Sequence, residues 1–352
     1  MSNHLWVRAE QRALEQRVPI NPAGVTSLLQ EGWTVTVERS AARAIPDAAY
    51  EQTGCVMVNT NSWHAQAPDD AIILGLKELD PDGPDLRHRH IMFGHAFKGQ
   101  ADGPALLARF ARGKGTLLDL EYLTEESGRR VAAFGYWAGF AGAAVGLMAW
   151  CAQQRGQILG PVPVFEGRDA LVDTLSAQLG TTKPSVIVIG ALGRVGSGAC
   201  ELAEALGLPT TRWDMAETAH GGPFPEILAH DMFVNCILAS PGVPIFVERS
   251  AVHRSRQLSV IADVSCDPSS AYNPIPIYDS ATSFDRPTVA AGNADNPLDV
   301  MAIDNLPSML PVESSEDYAR QLLPHLRTLA DDSDGVWSRA ESIFEQHVKQ
   351  FK

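Results

Sequence analysis

Short apolar runs alternate with helical periodicity along the first 130 residues. Helical spacing begins at Asn21-Pro22 for the first helix and covers residues 104–112 further on. Strands that alternate with helices are typical of a mainly parallel α/β sheet, which we expect here. The apolar runs predict strands at residues 5–8, 33–37, 56–59, 71–76 and 91–96.

A second strand–helix series begins at Ser185, after a helix predicted over residues 170–179. It opens with an apolar strand, a helix and another strand at TTRW. Residues 268–311 are rich in proline, asparagine and aspartate and are expected to form ordered loops. The later strands are predicted at residues 232–237 and 259–263, and two amphipathic helices at residues 316–329 and 336–351.

Between the two series, residues 131–150 contain no charged side chain. A run of this length is long enough to span a bilayer. It also holds Gly135, Gly139, Gly142 and Gly146, which would let a buried helix at a domain junction pack closely. Because the rest of the chain has moderate hydropathy, we favour the buried helix and expect no membrane partner.

The formal net charge is -14, and the acidic residues are spread along the whole length. Nucleic acids and anionic membranes repel such a surface, so neither is expected as a partner. The five cysteines are widely spaced without a CxxC pair, and the N-terminus lacks the pattern of a signal peptide, so the cytoplasm is the expected location. His88, His90 and His95 come without a carboxylate motif and beside arginines, so no metal site is expected.

The segment SVIVIGALGRVGSGAC carries a strand into a glycine-rich turn and then into a helix. Glycines at such a turn permit the tight bend, the approach of backbone amides to a pyrophosphate and the packing of helix on strand. The spacing departs from GxGxxG, since it reads GxxGxxG with an added Gly198. The predicted cofactor-binding residues of this turn are Gly190, Gly193, Arg194, Val195 and Gly196.

Asp214 follows the next predicted strand, about 20 residues beyond the turn. An acid at this position can bond the adenosine ribose hydroxyls and repels a 2′-phosphate, so NAD is favoured over NADP. Arg212 lies close by in the sequence and leaves NADP open.

Two neighbouring predicted strands in the N-terminal half end in ionisable residues. Lys77 follows one strand and His95 ends the next, so both would reach the same edge of a parallel sheet. Lysine and histidine can move a proton while a hydride leaves an amine or alcohol carbon. Each also has an ordinary interpretation, Lys77 as a solvated strand end and His95 as a core histidine. Arg17 and Arg130 are candidates to bind substrate carboxylates, or ordinary surface charges.

Several segments in order along nearly the whole chain are similar to one family: GLKEL, FGHAFKGQ, LLDLEYL, GRRVAAFGYWAGFAG, RWDMAETAHGGPF, DVSCDPSSAYNPIPIY and AIDNLPSMLP. They resemble the NAD-dependent, lysine-forming saccharopine dehydrogenases, relatives of alanine dehydrogenase. The resemblance implies an α/β protein of two Rossmann-like, doubly wound parallel-sheet domains with a cleft between them. We expect a substrate-side domain at residues 1–134 with about 312–352, and an NAD-binding domain at about 135–311.

The resemblance also implies the reversible oxidation of saccharopine by NAD to lysine and 2-oxoglutarate, a step of lysine metabolism, by an enzyme acting on a CH–NH donor. The family's acid–base residues fall on Lys77 and His95, and its substrate-carboxylate arginines on Arg17 and Arg130, with Arg129 adjacent to the second. Further matches are implied for the substrate pocket at Glu78, Lys98, Glu121 and Asp304, and for the ribose-binding acid at Asp214.

Two positions depart from the family. Val195 stands where some members have a cysteine, which removes a disulfide to Cys236, and Asn305 stands where a histidine is common. The amine specificity and the oligomeric state are not fixed by the sequence. An alanine or opine type of amino-acid dehydrogenase, a non-catalytic NAD-binding protein and a transhydrogenase subunit therefore stay as alternatives.

Overall fold

A computed structural model describes residues 4–12 and 15–351 of the chain. The chain divides into two compact units. The first unit comprises Met1–Ala133 and Ser314–Lys352, and the second comprises Phe134–Glu313.

The first unit contains a six-stranded sheet in which every pair of neighbours is parallel, in the order β3-β2-β1-β4-β5-β6. This strand order is that of a doubly wound dinucleotide-binding fold. Its strands are β1 (His4–Val7), β2 (Thr34–Glu38), β3 (Val56–Val58), β4 (Ile72–Leu74), β5 (Arg89–Met92) and β6 (Thr116–Asp119).

Helices connect these strands, and the local sequence explains where the first one starts. Asn21 accepts a hydrogen bond from the Gly24 amide at 2.9 Å, and Pro22 occupies the first helical position, where its missing N–H costs nothing. The helices of this unit are α1 (Pro22–Gln30), α2 (Asp47–Glu51), α3 (Trp63–Gln66), α4 (Gly103–Gly113), most of α9 (Pro311–Arg327) and α10 (Val336–Val348), with short 3₁₀ turns at Leu120–Tyr122 and Lys349–Phe351.

The second unit contains another six-stranded sheet, in the order β11-β12-β10-β9-β7-β8. Its pairs are parallel except for the edge pair β11–β12. The strands are β7 (Val186–Ile189), β8 (Thr210–Trp213), β9 (Met232–Asn235), β10 (Val260–Asp263), β11 (Val289–Ala290) and β12 (Asp299–Met301). The helices are α5 (Gly135–Gln154), α6 (Arg168–Leu179), α7 (Arg194–Ala205) and α8 (Met215–Thr218), with 3₁₀ turns at Pro225–Ala229, Arg249–His253 and Leu306–Met309.

The prediction of mainly parallel α/β sheets is confirmed, while several boundaries were wrong. Residues 268–311 were expected to be loops only, but they contain β11 and β12, which are too short to show periodicity. Helix α9 begins at Pro311 rather than at residue 316. Strand β6 was not predicted, because its four residues run directly into the apolar 3₁₀ turn.

Strand β5 lies two to four residues earlier than the predicted strand at residues 91–96, because the polar residue His90 is part of the core. Its side chain is fully buried, with edge-on ring contacts to Trp63 at 5.0 Å and to Phe110 at 5.4 Å between centroids. Neither ring nitrogen has a hydrogen-bond partner. Burial, aided by the charge of Arg8, therefore holds the pKa of His90 well below its usual value.

A buried carboxylate closes the loops at the carboxyl end of β2. Glu38 is fully buried, and its two oxygens accept four hydrogen bonds. The donors are the Trp6 indole at 3.1 Å and the amides of Ala9, Asn61 and Trp63 at 2.9, 3.0 and 2.7 Å. Charge-assisted bonds of this kind fix the loop after β1 against the loop after β3.

Helix α5 is the apolar run of the sequence, and the expectation of a buried helix is correct. From Gly139 to Ala152 every residue is buried. Among the described residues, none of the helices has the length and apolar character that crossing a membrane requires.

The glycines of α5 and α7 set how closely these two helices approach. A Cβ atom added at Gly139 would overlap the carbonyl oxygen of Val195, and one added at Gly198 would overlap the carbonyl oxygen of Tyr136. The backbones of the two helices therefore touch at both places. Since α7 begins at the glycine-rich turn, this contact fixes the start of α7 against the core of the second unit.

Replacement of Gly139 by alanine should lower the free energy of unfolding by about 1–3 kcal/mol, because the helices must separate to admit a methyl group. This holds although alanine favours a helix over glycine by about 1 kcal/mol. Denaturant unfolding measures the change. Gly160→Ala is the control, because no atom lies within 4 Å of its added Cβ. Equal stability of the two variants would contradict the close helix contact.

The buried His90 should make the protein less stable in mild acid. Its folded-state pKa is lowered, so below its usual pKa of about 6.5 only the unfolded chain takes up the proton, and stability falls as the pH falls. At about pH 5.5 this loss amounts to about 1 kcal/mol. His90→Leu should remove that part of the pH dependence of the free energy of unfolding. An unchanged pH dependence in the variant would show that His90 takes up a proton in the folded state.

Candidate active site

Lys77 and His95 lie beyond the carboxyl ends of adjacent parallel strands. Strand β4 pairs with β5 in a register that places Leu74 opposite Ile91. Lys77 is three residues beyond the end of β4, and His95 is three residues beyond the end of β5. The backbone turns sharply at His95, where φ is 47°. The predicted approach of these two residues at one sheet edge therefore matches the register of the strands.

Glu78 connects the two strand ends. Its Oε2 atom lies 3.0 Å from Nδ1 of His95, and its other oxygen is paired with the Arg12 guanidinium. Burial lowers the pKa of His95, and the charge of Lys77 lowers it further. Because its pKa is lowered, His95 is more often neutral at a given pH than a histidine in water. The neutral ring is the form that can accept a proton as a general base.

Asp119 ends strand β6 beside His95 and was not among the predicted site residues. Its side chain is buried and accepts hydrogen bonds from the amides of Gly94 at 3.1 Å and Glu121 at 2.9 Å. Burial raises the pKa of Asp119 to about 6, although those two bonds and the charge of His95 lower it. Its signal in the sequence is an acid at a strand end, which was missed because the strand itself was missed.

Lys98 and Glu121 form an ion pair at the same sheet edge. The Nζ atom of Lys98 lies 2.7 Å from Oε1 of Glu121 and 5.9 Å from the ring centre of Tyr122. The hydrogen bond to Glu121 raises the pKa of Lys98. Lys98 therefore stays charged in this unit.

Arg17 is a buried side chain and not a surface charge. It is 3% exposed and binds Glu15 through Nε at 2.8 Å and Nη2 at 2.7 Å, a two-point contact. Burial raises the pKa of Glu15, but the bonds and charge of Arg17 more than offset it, so the pKa of Glu15 is lowered. The charge of Lys77 acts in the same direction. Arg17, Glu15 and Lys77 thus belong to one cluster of charges.

Arg130 is exposed, and its backbone pairs with Thr124 in an isolated bridge. Burial raises the pKa of the Tyr318 hydroxyl, and the charge of Arg130 opposes that rise. The same charge opposes the rise in the pKa of Lys98 that the hydrogen bond to Glu121 causes. The neighbouring Arg129 is also exposed. Of the predicted substrate residues, the first unit therefore brings Arg17, Arg130, Glu78, Lys98 and Glu121 around the Lys77–His95 edge.

The glycine-rich turn of the second unit forms a cradle that side chains would fill. Gly190 has a φ of 85°, a left-handed conformation that suits glycine. A Cβ atom at Gly196 would overlap the carbonyl oxygen of Gly190, so the first turn of α7 packs directly on the loop. Gly193 precedes α7, and Arg194 and Val195 are its first two residues, so their amides point out of the helix start. Such an end binds anions.

A cavity of about 680 Å³ opens beside this turn. Its lining includes Gly190, Gly193 and Asp214, all predicted cofactor residues. It also includes Met215 and Leu238, which are 82% and 76% exposed. Apolar side chains held in solvent at a cavity rim offer flat surfaces for an aromatic ring. They were not predicted, because single exposed apolar residues carry no sequence signal.

Asp214 follows β8 and begins α8. Its Oδ2 atom accepts a hydrogen bond from the Leu192 amide at 2.9 Å, and its Oδ1 atom accepts one from the Met215 amide at 2.9 Å. The carboxylate is thus held at the cavity wall and stays partly exposed. Arg212, the residue that left NADP open, is paired with Glu204 at 2.5 Å. The ion pair directs its guanidinium to α7.

Asp304 belongs to the second unit, whereas Lys98 belongs to the first. Asp304 is exposed. Its charge adds to the effect of burial on the Cys266 thiol, and together they raise the pKa of that thiol to about 12. Asn305 precedes the 3₁₀ turn Leu306–Met309, and its side-chain amide donates to the Ser308 hydroxyl at 3.5 Å. No group of three or more metal-ligating side chains occurs within residues 4–12 and 15–351.

Comparison with known proteins decides the family. The chain is 44% identical to a saccharopine dehydrogenase [NAD(+), L-lysine-forming] of Emericella nidulans over 99% of this chain and 98% of that protein. It is 43% identical to the corresponding protein of Schizosaccharomyces pombe over 99% of both chains. The chain belongs to the NAD-dependent, lysine-forming saccharopine dehydrogenase family.

The family assignment agrees with the fold. Residues 6–141 match the family described as alanine dehydrogenase/PNT, N-terminal domain. Among solved structures, an L-alanine dehydrogenase superposes with a TM-score of 0.71 at 19% identity, covering 99% of this chain and 100% of that one. A transhydrogenase from Sinorhizobium meliloti superposes with a TM-score of 0.64 at 16% identity, covering 96% and 97%. These two likenesses concern the fold, and the resemblance in the sequence to the saccharopine dehydrogenases is confirmed.

The charge coupling between Lys77 and His95 can be measured directly. Lys77→Met removes one of the two main causes that lower the pKa of His95, so that pKa should rise, while burial keeps it below the value of a free histidine. Titration of the His95 ring nitrogens by NMR measures it. Lys349→Met, a change of the same kind at an exposed terminal residue, should leave it unchanged. An unchanged His95 pKa in Lys77→Met would show that the charge of Lys77 does not reach His95.

Proposed function

We propose that this protein catalyses the reversible, NAD-dependent oxidation of saccharopine to lysine and 2-oxoglutarate. The observation that carries the proposal is the cluster of Lys77, Glu78 and His95 at one sheet edge, in a chain that belongs to this family. In balanced form, saccharopine, NAD⁺ and water give lysine, 2-oxoglutarate, NADH and a proton.

In this scheme the neutral form of Lys77 takes the proton from the secondary amine of saccharopine, which leaves the nitrogen lone pair able to form a C=N bond as the α-hydrogen departs. His95 then takes a proton from the water that attacks the imine carbon, which gives a carbinolamine. His95 returns this proton to the nitrogen, the C–N bond breaks and lysine leaves, and the hydroxyl proton passes to solvent as the carbonyl group of 2-oxoglutarate forms. The lowered pKa of His95 supports its role as the base, because the neutral ring is the form that accepts a proton. Glu78 places a carboxylate oxygen 3.0 Å from Nδ1 of the ring, where its negative charge would stabilise the protonated ring.

The substrate carries three carboxylates and therefore needs cations. Arg17 and Arg130 are proposed to hold two of them, and Glu15 keeps the Arg17 guanidinium in a fixed orientation. Lys98 with Glu121 is proposed to line the substrate site of the first unit. Asp119 is a further candidate, since its carboxyl group lies close enough to His95 for the two charges to interact.

The cofactor NAD fits the second unit. The cradle of Gly190, Gly193 and Gly196, with the helix start at Arg194 and Val195, would hold the pyrophosphate, and Asp214 the ribose hydroxyls. When bound there, the nicotinamide ring would supply the hydride acceptor for the glutamyl α-carbon of the substrate. Because Arg212 is paired with Glu204, the basic group that would favour a 2′-phosphate is already engaged.

We also propose a reducing compartment, the cytoplasm, as the place of action. All five cysteines are free thiols, although Cys200 and Cys236 lie near enough for their charges to interact. Unpaired thiols are typical of a reducing environment.

NADH consumption by the purified protein tests the reaction. With lysine and 2-oxoglutarate, NADH should be oxidised, whereas pyruvate with ammonia, or NADPH in place of NADH, should support little turnover. Oxidation only with pyruvate and ammonia would make the protein an alanine type of dehydrogenase. Lys77→Met should lower kcat by about 10²–10⁴-fold with the dissociation constant for NADH unchanged. Lys349→Met is the matched control and should keep full activity. Normal turnover by Lys77→Met would remove the proposed role of that residue.

A further inference from the structure

We infer that Glu10 and Arg8 are positioning residues that hold both peptide groups of Lys77 and thereby aim its side chain. The inference rests on the proposed role of Lys77. Both residues lie just beyond strand β1, which is the neighbour of β4 in the sheet. Neither was a candidate from the sequence, where they are part of an ordinary charged stretch.

Glu10 holds the amide side of Lys77. Its Oε2 atom accepts a hydrogen bond from the Lys77 amide at 2.9 Å, and its Oε1 atom accepts one from the Leu76 amide at 2.6 Å. The Glu10 side chain is 7% exposed. A buried carboxylate with two amide donors is a strong contact, because the charge assists both bonds.

Arg8 holds the carbonyl side of the same residue. Its Nη2 atom donates to the Lys77 carbonyl oxygen, and its Nη1 atom donates to the Ala9 carbonyl oxygen at 3.1 Å. The same Nη1 atom lies 3.5 Å from Oε2 of Glu10. The Arg8 side chain is fully buried. The two charged groups thus support each other while they bond opposite sides of Lys77.

Lys77 needs such partners because the sheet no longer provides them. Strand β4 ends at Leu74. The last backbone hydrogen bond towards the segment after β5 runs from the Phe93 amide to the Leu76 carbonyl oxygen at 2.9 Å. Beyond it, the N–H and C=O groups of Lys77 leave the ladder and require other partners. Fixing both groups restricts φ and ψ of Lys77, from which the direction of its Cα–Cβ bond follows.

Gly75 is the accompanying requirement in the sequence. A Cβ atom at this position would overlap the Arg8 guanidinium, so any other residue would displace Arg8 from the Lys77 carbonyl. The glycine of the segment GLKEL is therefore explained by the passage of Arg8 beneath it. Glu10 and Arg8 bond the amide and carbonyl groups of residue 77 and not its side chain. The same bonds would therefore form with any side chain at this position.

The test compares Glu10→Gln with the wild-type protein and with Glu31→Gln, an acid-to-amide change at an exposed ion pair of the same unit. Glu10→Gln exchanges one acceptor for an amide that faces an N–H group, so the Lys77 backbone should shift. A misplacement of about 1 Å lowers rates by about a hundredfold, and we expect kcat to fall by about ten- to a hundredfold. The dissociation constant for NADH should not change.

A second readout separates positioning from mere stability. Because the charge of Lys77 lowers the pKa of His95, a displaced Lys77 should let the His95 pKa rise toward its value in Lys77→Met, as followed by NMR. Glu10→Asp, which keeps the charge but shortens the side chain, should show the same two effects at smaller size. Glu31→Gln should show neither.

Wild-type values of kcat and of the His95 pKa in Glu10→Gln would overturn the inference. If Glu10→Gln does not fold, the same two measurements on Glu10→Asp and Arg8→Lys decide it, and wild-type values in both would again overturn it. The proposed reaction has a separate outcome. If the wild-type protein does not convert saccharopine, the reaction is wrong, while the His95 pKa still reports whether Glu10 positions Lys77.

Discussion

The close contact of α5 with α7 is the constraint on which the glycine-rich turn depends. Two backbones touch at Gly139 and Gly198, and no side chain can enter between them. Helix α5 is buried over most of its length, so it is a fixed reference for the start of α7. The turn at Gly190 then has its geometry set from both sides, by the sheet and by the helix. A phosphate cradle made of backbone amides needs this rigidity, because it has no side chains that adjust to a ligand.

Charge is arranged differently in the two units. In the first, the charges of Lys77 and Asp119 both change the pKa of His95, and buried ion pairs such as Arg17–Glu15 fix the surroundings. In the second, the features beside the cavity are a helix start, one acid and exposed apolar side chains. Interacting ionisable groups thus lie at the edge of one sheet, and an open cavity beside a helix start lies at the edge of the other.

The sequence predicted the elements whose signals are local. The strand before Gly190, the helix after it and the long apolar helix follow from periodicity and glycine spacing. Strand β5 was misplaced because a histidine buried among aromatic rings counts as apolar in the structure and as polar in the sequence. The same limit applies to the site. Lys77 and His95 stand at predicted strand ends and could be proposed from the sequence, whereas the hydrogen bonds of Glu10 join residues 66 and 67 positions apart in the chain.

One contact recurs in both sheets. The acid at the carboxyl end of the second strand bonds the loop after the first strand, through the Ala9 amide to Glu38 and through the Leu192 amide to Asp214. Both oxygens of the buried Glu38 accept hydrogen bonds from donors of the same unit, whereas Asp214 lines the cavity and is partly exposed. The two sheets therefore have the same loop contact at this place, although the surroundings of the two acids differ. The two carboxylates differ in solvent access: Asp214 keeps a face open to the cavity, whereas Glu38 serves only to hold its own loops together.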